Sequence, residues 1–292
     1  GYEDPHFVRP KPGLAVMLKK ADMLISTGLD LELWLPALLD KANNPKIRSG
    51  QNGFVSVSRG IQLLQKPKII SRSGGGVHIY GNPHIYTGPL SGKMIARNIM
   101  IGLKKVDPAG AALFERNYKA FKRKVDRRLF GDKLLKILGA TMLNKLTLAR
   151  RLVPFLKGRS FRGKKLIHYL GGWMKQGLAI RGRKIVAYHK NWAYFARTFG
   201  VEIVEYVEPK PGIPPSPKHV AKVIRKMKAH RIKVLLAGNY YSSAKVKSIA
   251  KRVNATPVIV ALEVGGERQV KDFFSQFDVW IGRLVSAFRR AG

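Results

Sequence analysis

Seven histidines and no cysteine set the chemistry open to this chain. Without thiols there is no disulfide framework, thiolate zinc cluster or cysteine nucleophile, so any metal must be held by nitrogen and oxygen. Two candidate ligands stand where strands end. His189 follows directly on the apolar run Lys184 to Tyr188, and Glu263 follows on Pro257 to Leu262. Open parallel sheets bind ligands at the carboxyl ends of their strands, so both side chains are expected to face one crevice. A neutral imidazole with a carboxylate suits zinc, manganese or iron. His6 and His84 sit in Asp4-Pro5-His6 and Asn82-Pro83-His84. Proline fixes the backbone just before each ring, which lowers the entropy lost on holding it in place. His78, six residues before His84, is open to three readings: a partner that steadies a ligand, an alternative ligand, or no role. His168, His219 and His230 lie in basic or helical surroundings and read as structural.

The elements that must position these residues are clearest in the last third. Runs at Lys184 to Tyr188, Val201 to Val207, Ile232 to Ala237 and Pro257 to Leu262 alternate with helix-like segments near 190–199, 216–230, 243–253 and 268–290. That alternation predicts an α/β fold with a parallel sheet and helices on both faces. Glu208 to Pro217, rich in proline, is expected to be an ordered loop, with Ser216 capping a helix that has Pro217 at its first position. Upstream, Leu14 to Ala21 reads as helix, Met23 to Ser26 as extended and Leu29 to Leu39 as helix, a second α/β unit. Asp107-Pro108 reads as a helix start, and Phe114, Tyr118, Phe121, Val125 and Leu129 form one apolar stripe along a long helix. Gly131 to Gly182, basic and interrupted by helix breakers, reads as an exposed insertion with some helix. Three segments follow: 1–106, an N-terminal α/β unit; 107–182, a long helix and the basic insertion; and 183–292, a C-terminal α/β unit.

Charge pulls in another direction. Lys and Arg number 55 against 17 Asp and Glu, a formal +38, and such a field attracts polyanions. The basic residues are spread along the chain with few aromatics among them and no nucleic-acid module, so nonspecific anion binding is expected rather than sequence recognition. No run approaches the roughly 20 apolar residues of a membrane-spanning helix, and the opening Gly-Tyr-Glu-Asp-Pro-His reads as a mature form or a fragment whose leader is gone.

Six motifs in order carry a resemblance that covers nearly the whole chain: Asp4-Pro5-His6; Ala21-Asp22 followed by Gly28-Leu29-Asp30-Leu31-Glu32-Leu33-Trp34; Gly81-Asn82-Pro83-His84; Asp107-Pro108; Tyr188-His189-Lys190-Asn191-Trp192-Ala193-Tyr194-Phe195; and Glu208 to Pro217. The chain resembles the metal receptors of zinc and manganese ABC importers. The resemblance implies two α/β lobes, each with a parallel sheet, joined by one long helix, with the metal in the cleft between them: 1–106 becomes an N-terminal metal-binding lobe short of its first strands, 107–182 the linking helix with the basic insertion, and 183–292 the C-terminal metal-binding lobe. It assigns His6, His84 and His189 as ligands and an acid after a late strand, Glu263, as the fourth. It further implies a monomeric, periplasmic or extracytoplasmic binding protein, not an enzyme, that delivers Zn2+, or alternatively Mn2+, to an ABC importer permease. Zinc is favoured because imidazole ligands suit it by softness and affinity order. Two rivals are a basic polyanion-binding or adhesive protein on the same fold, and a zinc metallohydrolase with Glu263 as its base. Glycines in Gly74-Gly75-Gly76 and at Gly88 stand where acids are expected near the second histidine, which removes carboxylate acceptors for its ring.

Overall fold

The computed structural model describes residues 3–67, 78–208 and 210–291. The chain divides into two compact units, Glu3–Arg123 with Lys210–Gly212, and Lys124–Pro209 with Ile213–Gly292; the boundary falls inside a helix, after Arg123.

In the first unit, α1 (Pro12–Lys19) opens on a proline whose missing N–H costs the helix nothing. It leads to β1 (Leu24–Ser26), α2 (Leu35–Ala42) and β2 (Phe54–Ser56). Strands β1 and β2 pair in parallel with Ile25 opposite Val55. The helix expected over Leu29 to Leu39 begins only at Leu35, because Leu29 and Asp30 hold left-handed backbone angles, φ 58° and 61°. Non-glycine residues occupy that region only where something compensates. Here the Glu32 carboxylate accepts the N–H groups of Thr27 (2.9 Å) and Gly28 (2.8 Å) and the Ser26 hydroxyl (3.1 Å).

Helix α3 (Pro89–Val106) lies against β2. The approach requires Gly102: a Cβ there would stand 2.2 Å from Val55 Cγ2. The buried Asn98 amide donates to the carbonyls of Val57 (2.9 Å) and Arg59 (2.8 Å), tying α3 to the segment after β2. Asp107 does not start the next helix. Its carboxylate accepts the Gly110 N–H at 3.1 Å to close a turn, and α4 (Ala111–Phe130) begins after it. The apolar stripe on α4 holds, with Val125 and Leu129 fully buried.

The second unit opens with α5 (Asp132–Leu148), α6 (Leu152–Gly158), a short antiparallel hairpin of β3 (Ser160–Phe161) and β4 (Lys164–Lys165), and α7 (Gly172–Gly177). This region is less exposed than its basic composition suggests. Leu134, Leu143, Leu152, Val153, Leu156, Trp173 and Met174 are buried, so the cations ride on the outer face of packed helices.

The remainder is β5 (Lys184–Ala187), α8 (Ala193–Phe199), β6 (Glu202–Tyr206), α9 (Pro217–Ala229), β7 (Val234–Gly238), α10 (Ser243–Lys251), β8 (Thr256–Val260) and α11 (Phe273–Arg290). The strands match the expected runs to within two residues at each end. They pair in parallel in the order β6-β5-β7-β8. All five residues of β7 are buried, as a strand covered on both faces demands. Ser216 caps α9, its hydroxyl accepting the His219 N–H at 3.2 Å, with Pro217 at the first position as expected.

Helix α11 anchors the exit of β8. Trp280 is fully buried against Trp192, Phe195 and Phe277, and its indole N–H donates to the Ala261 carbonyl at 2.8 Å. The Gln276 amide donates to the Leu262 carbonyl, and the Glu267 carboxylate accepts the Ala261 N–H. Among the described residues no helix is long and apolar enough to cross a membrane.

Candidate metal centre

His6 and His84 are built alike. In Asp4-Pro5-His6, Asp4 Oδ1 accepts the His6 backbone N–H at 3.0 Å and lies 2.6 Å from His6 Nδ1. In Asn82-Pro83-His84, Asn82 Oδ1 accepts the His84 N–H at 2.9 Å and lies 2.9 Å from His84 Nδ1. An aspartate or asparagine turns back on the chain two residues later, proline fixes the residue between, and the same oxygen meets the ring. The Asn82 amide is itself oriented, its nitrogen donating to Gln65 Oε1 at 2.8 Å. A carboxylate or amide oxygen only accepts, so in the neutral form of both rings Nδ1 carries the proton and Nε2 is the lone-pair nitrogen. Ligand nitrogens of the two rings lie within 4.8 Å of each other, and both residues are buried. Trp34, just past the left-handed turn, donates its indole N–H to the Pro5 carbonyl at 2.8 Å and so braces the His6 loop.

In the second unit His189 ends β5 and is 1 % exposed. Its Nδ1 lies 2.8 Å from the backbone carbonyl of Glu208, at the end of the neighbouring strand β6, and 3.9 Å from that residue's Oε1. A backbone carbonyl also only accepts, so this ring too presents Nε2 as its lone-pair nitrogen. The connections leaving the neighbouring strands β5 and β7 run in opposite directions, to β6 and to β8, which makes the crevice at their carboxyl ends, where His189 follows β5, the switch point at which such sheets bind ligands. Glu208 is itself buried. Burial raises the Tyr188 phenol pKa, and the charge on Glu208 raises it further.

Glu263 stands half-buried just past β8, two strands across from β5, a spacing of about 10 Å at the strand ends. Its loop is closed by the Gly266 N–H on the Glu263 carbonyl at 3.1 Å and by Asn239 on the Gly266 carbonyl at 2.7 Å. His219 Nε2 bonds the Tyr206 carbonyl at 2.9 Å, a structural contact as expected.

Asp4, Asn82 and Glu208 escaped the sequence reading. For the first two the signal was visible, since both histidines follow the same Asx-Pro pair. The acceptor expected to be missing near His84 is supplied by Asn82 rather than by an acid; Gly74, Gly75 and Gly76 lie outside the described residues.

The family model of ZnuA, the periplasmic zinc-uptake complex component A, matches residues 2–128 and 163–287. The chain belongs to this family. Residues 129–162, which hold α5, α6 and β3, lie outside the match. The high-affinity zinc uptake system protein ZnuA of Bacillus subtilis is 22% identical over 265 residues, 89% of this chain and 69% of that protein. The manganese ABC transporter substrate-binding lipoprotein PsaA of Streptococcus anginosus is 25% identical over 129 residues, 43% of this chain and 38% of the lipoprotein. The solved structure of the binding protein FpvC from Pseudomonas aeruginosa with Mn2+ covers 100% of this chain and 88% of its own at a TM-score of 0.70 and 18% identity, which shows the shared two-lobed α/β fold. Membership of a periplasmic uptake family makes the chain an extracytoplasmic receptor and sets the metallohydrolase aside.

Proposed function

We propose that the chain captures one divalent transition-metal ion, zinc before manganese, with His6 and His84 of the first unit and His189 and Glu263 of the second, and delivers it as a monomer to the permease of an ABC importer. One observation carries this reading. Three histidines, each in its own local setting, have Nδ1 engaged by a purely accepting oxygen, so that Nε2 is the nitrogen offered to a cation. Proteins orient metal-binding imidazoles in this way, because the outer hydrogen bond fixes the tautomer and raises the basicity of the ligating nitrogen. Three imidazoles and one carboxylate suit zinc over manganese by ligand softness and by affinity order. The relatives named for zinc and for manganese support the choice of cargo class.

The +38 charge does not oppose a cationic cargo. At physiological ionic strength charges are screened over about 8 Å, whereas ligand atoms act at about 2 Å. The same charge holds polyanions nonspecifically, a property independent of the metal site. Calorimetric titration of chelator-stripped protein tests both statements. Zinc binds at one per chain, with an affinity that changes little between about 50 and 200 mM salt, while retention on heparin falls steeply over that range. Folded protein that takes up no zinc contradicts the receptor reading, and heparin retention that depends on bound zinc contradicts the separation of charge from site.

A further inference from the structure

The first unit holds a third imidazole beside His6 and His84. His78 Nε2 lies 3.2 Å from His6 Nε2. The three ring centroids are mutually close: 5.2 Å for His6 and His78, 5.1 Å for His6 and His84, and 5.9 Å for His78 and His84. Tetrahedral zinc binds nitrogen at about 2.0 to 2.1 Å, which sets two ligating nitrogens about 3.3 Å apart and the centroids of their rings about 5 Å apart. The His6–His78 and His6–His84 spacings fit rings arranged around one ion, and the His78 and His84 rings, 5.9 Å apart, need to close by about 1 Å to share it.

We propose that His78 is a metal ligand, and that His6, His78 and His84 form a three-imidazole capture site that holds a zinc-like ion within the first unit alone. The inference rests on the reading that His6 and His84 are ligands; what it adds is His78 and the self-sufficiency of the unit. With the His6 Nδ1 proton committed to Asp4, Nε2 of the neutral His6 ring is an acceptor. The contact with His78 is therefore either an N–H···N hydrogen bond or the edge of a ligand set. The converging His84 ring, held by Asn82 in the same tautomer, favours the second. The Gly81 N–H on the His78 carbonyl at 3.1 Å, together with the Asn82 N–H on the Leu64 carbonyl at 2.8 Å, fixes the turn that carries His78 to His84. A three-ligand site leaves a fourth position open to water or to a later ligand, which suits capture first, with His78 giving up its place when His189 and Glu263 complete the four-ligand tight site.

The test removes the second unit's ligands and asks whether the first unit still binds. In the His189→Ala/Glu263→Ala double variant, titrated with zinc alone, binding persists at one ion per chain but weaker than in the parent. Adding His78→Ala then lowers affinity at least about tenfold, and His78→Gln, which keeps a polar side chain of similar size but ligates zinc poorly, does the same. Metal-free melting temperatures show that each variant is folded. The proposal is overturned if both His78 variants bind zinc like the double variant, or if the double variant takes up no zinc while the parent does. A parent that takes up none fails the underlying receptor reading instead.

Discussion

Zinc affinity falls by more than about a hundredfold in the His189→Ala variant, since losing a ligand costs more than the roughly ten- to hundredfold that accompanies loss of a hydrogen bond behind one. The stabilisation that zinc gives the parent goes with it. At a free metal concentration about one hundred times Kd, a ligand specific for the folded state adds about 2.7 kcal/mol, a rise of about 5 °C in melting temperature for a chain of this size. Thermal melts with and without zinc, run beside calorimetry, read both effects. The same substitution at His168, His219 or His230 leaves affinity and zinc-induced shift as in the parent. Parent-like zinc binding by His189→Ala means that the second unit's ligand has been wrongly assigned.

The largest loss of stability without direct contact to the site is expected at Gly172. It holds φ +57°, and a Cβ built there would stand 2.1 Å from the Arg128 backbone carbonyl oxygen. The left-handed conformation alone costs a side chain about 1 to 2 kcal/mol. The clash is with backbone, which cannot swing aside as a side chain does. Gly172 opens α7, which carries the buried Trp173 onto Phe277 of α11 and lets its indole N–H reach Asp278 at 2.8 Å, so any shift there disturbs the core of the second unit. Gly172→Ala is expected to cost more than about 3 kcal/mol, lowering the melting temperature by about 6 °C or more. Gly158→Ala is the control, because nothing lies within 4 Å of its added methyl group and its φ is ordinary. Its melting temperature stays within about 2 °C of the parent. Equal melting temperatures for the two variants contradict the close approach at Gly172.

How much of this was legible beforehand follows from which interactions are local. The strands of the second unit were readable because each is a short apolar run bounded by polar or helix-forming sequence, and β7 is buried throughout. His189 and Glu263 are proposed from that grammar, as residues following strands. The residues around Leu29 misled for the same reason. Leu29, Leu31, Leu33 and Trp34 look like the face of a helix, yet the backbone there is set by the Glu32 carboxylate gathering the Thr27 and Gly28 N–H groups, a geometry that hydrophobic spacing does not encode. The acceptors behind the rings divide similarly. Asp4 and Asn82 act over two residues and were there to be read. The Glu208 carbonyl reaches His189 only because β6 pairs beside β5, a long-range fact of the sheet. The convergence of His78 on His6 and His84 is of that kind too, since 72 residues separate it from His6.

The central claim, that imidazole Nε2 atoms from three separate stretches of the chain hold one divalent ion, is tested most directly by X-ray absorption at the zinc edge of the one-to-one complex. The account predicts a first shell of nitrogen and oxygen at about 2.0 to 2.1 Å, with outer-shell scattering from at least three imidazole rings and loss of one ring's contribution in His189→Ala. A shell made of oxygen alone, or imidazole scattering unchanged in His189→Ala, would contradict it.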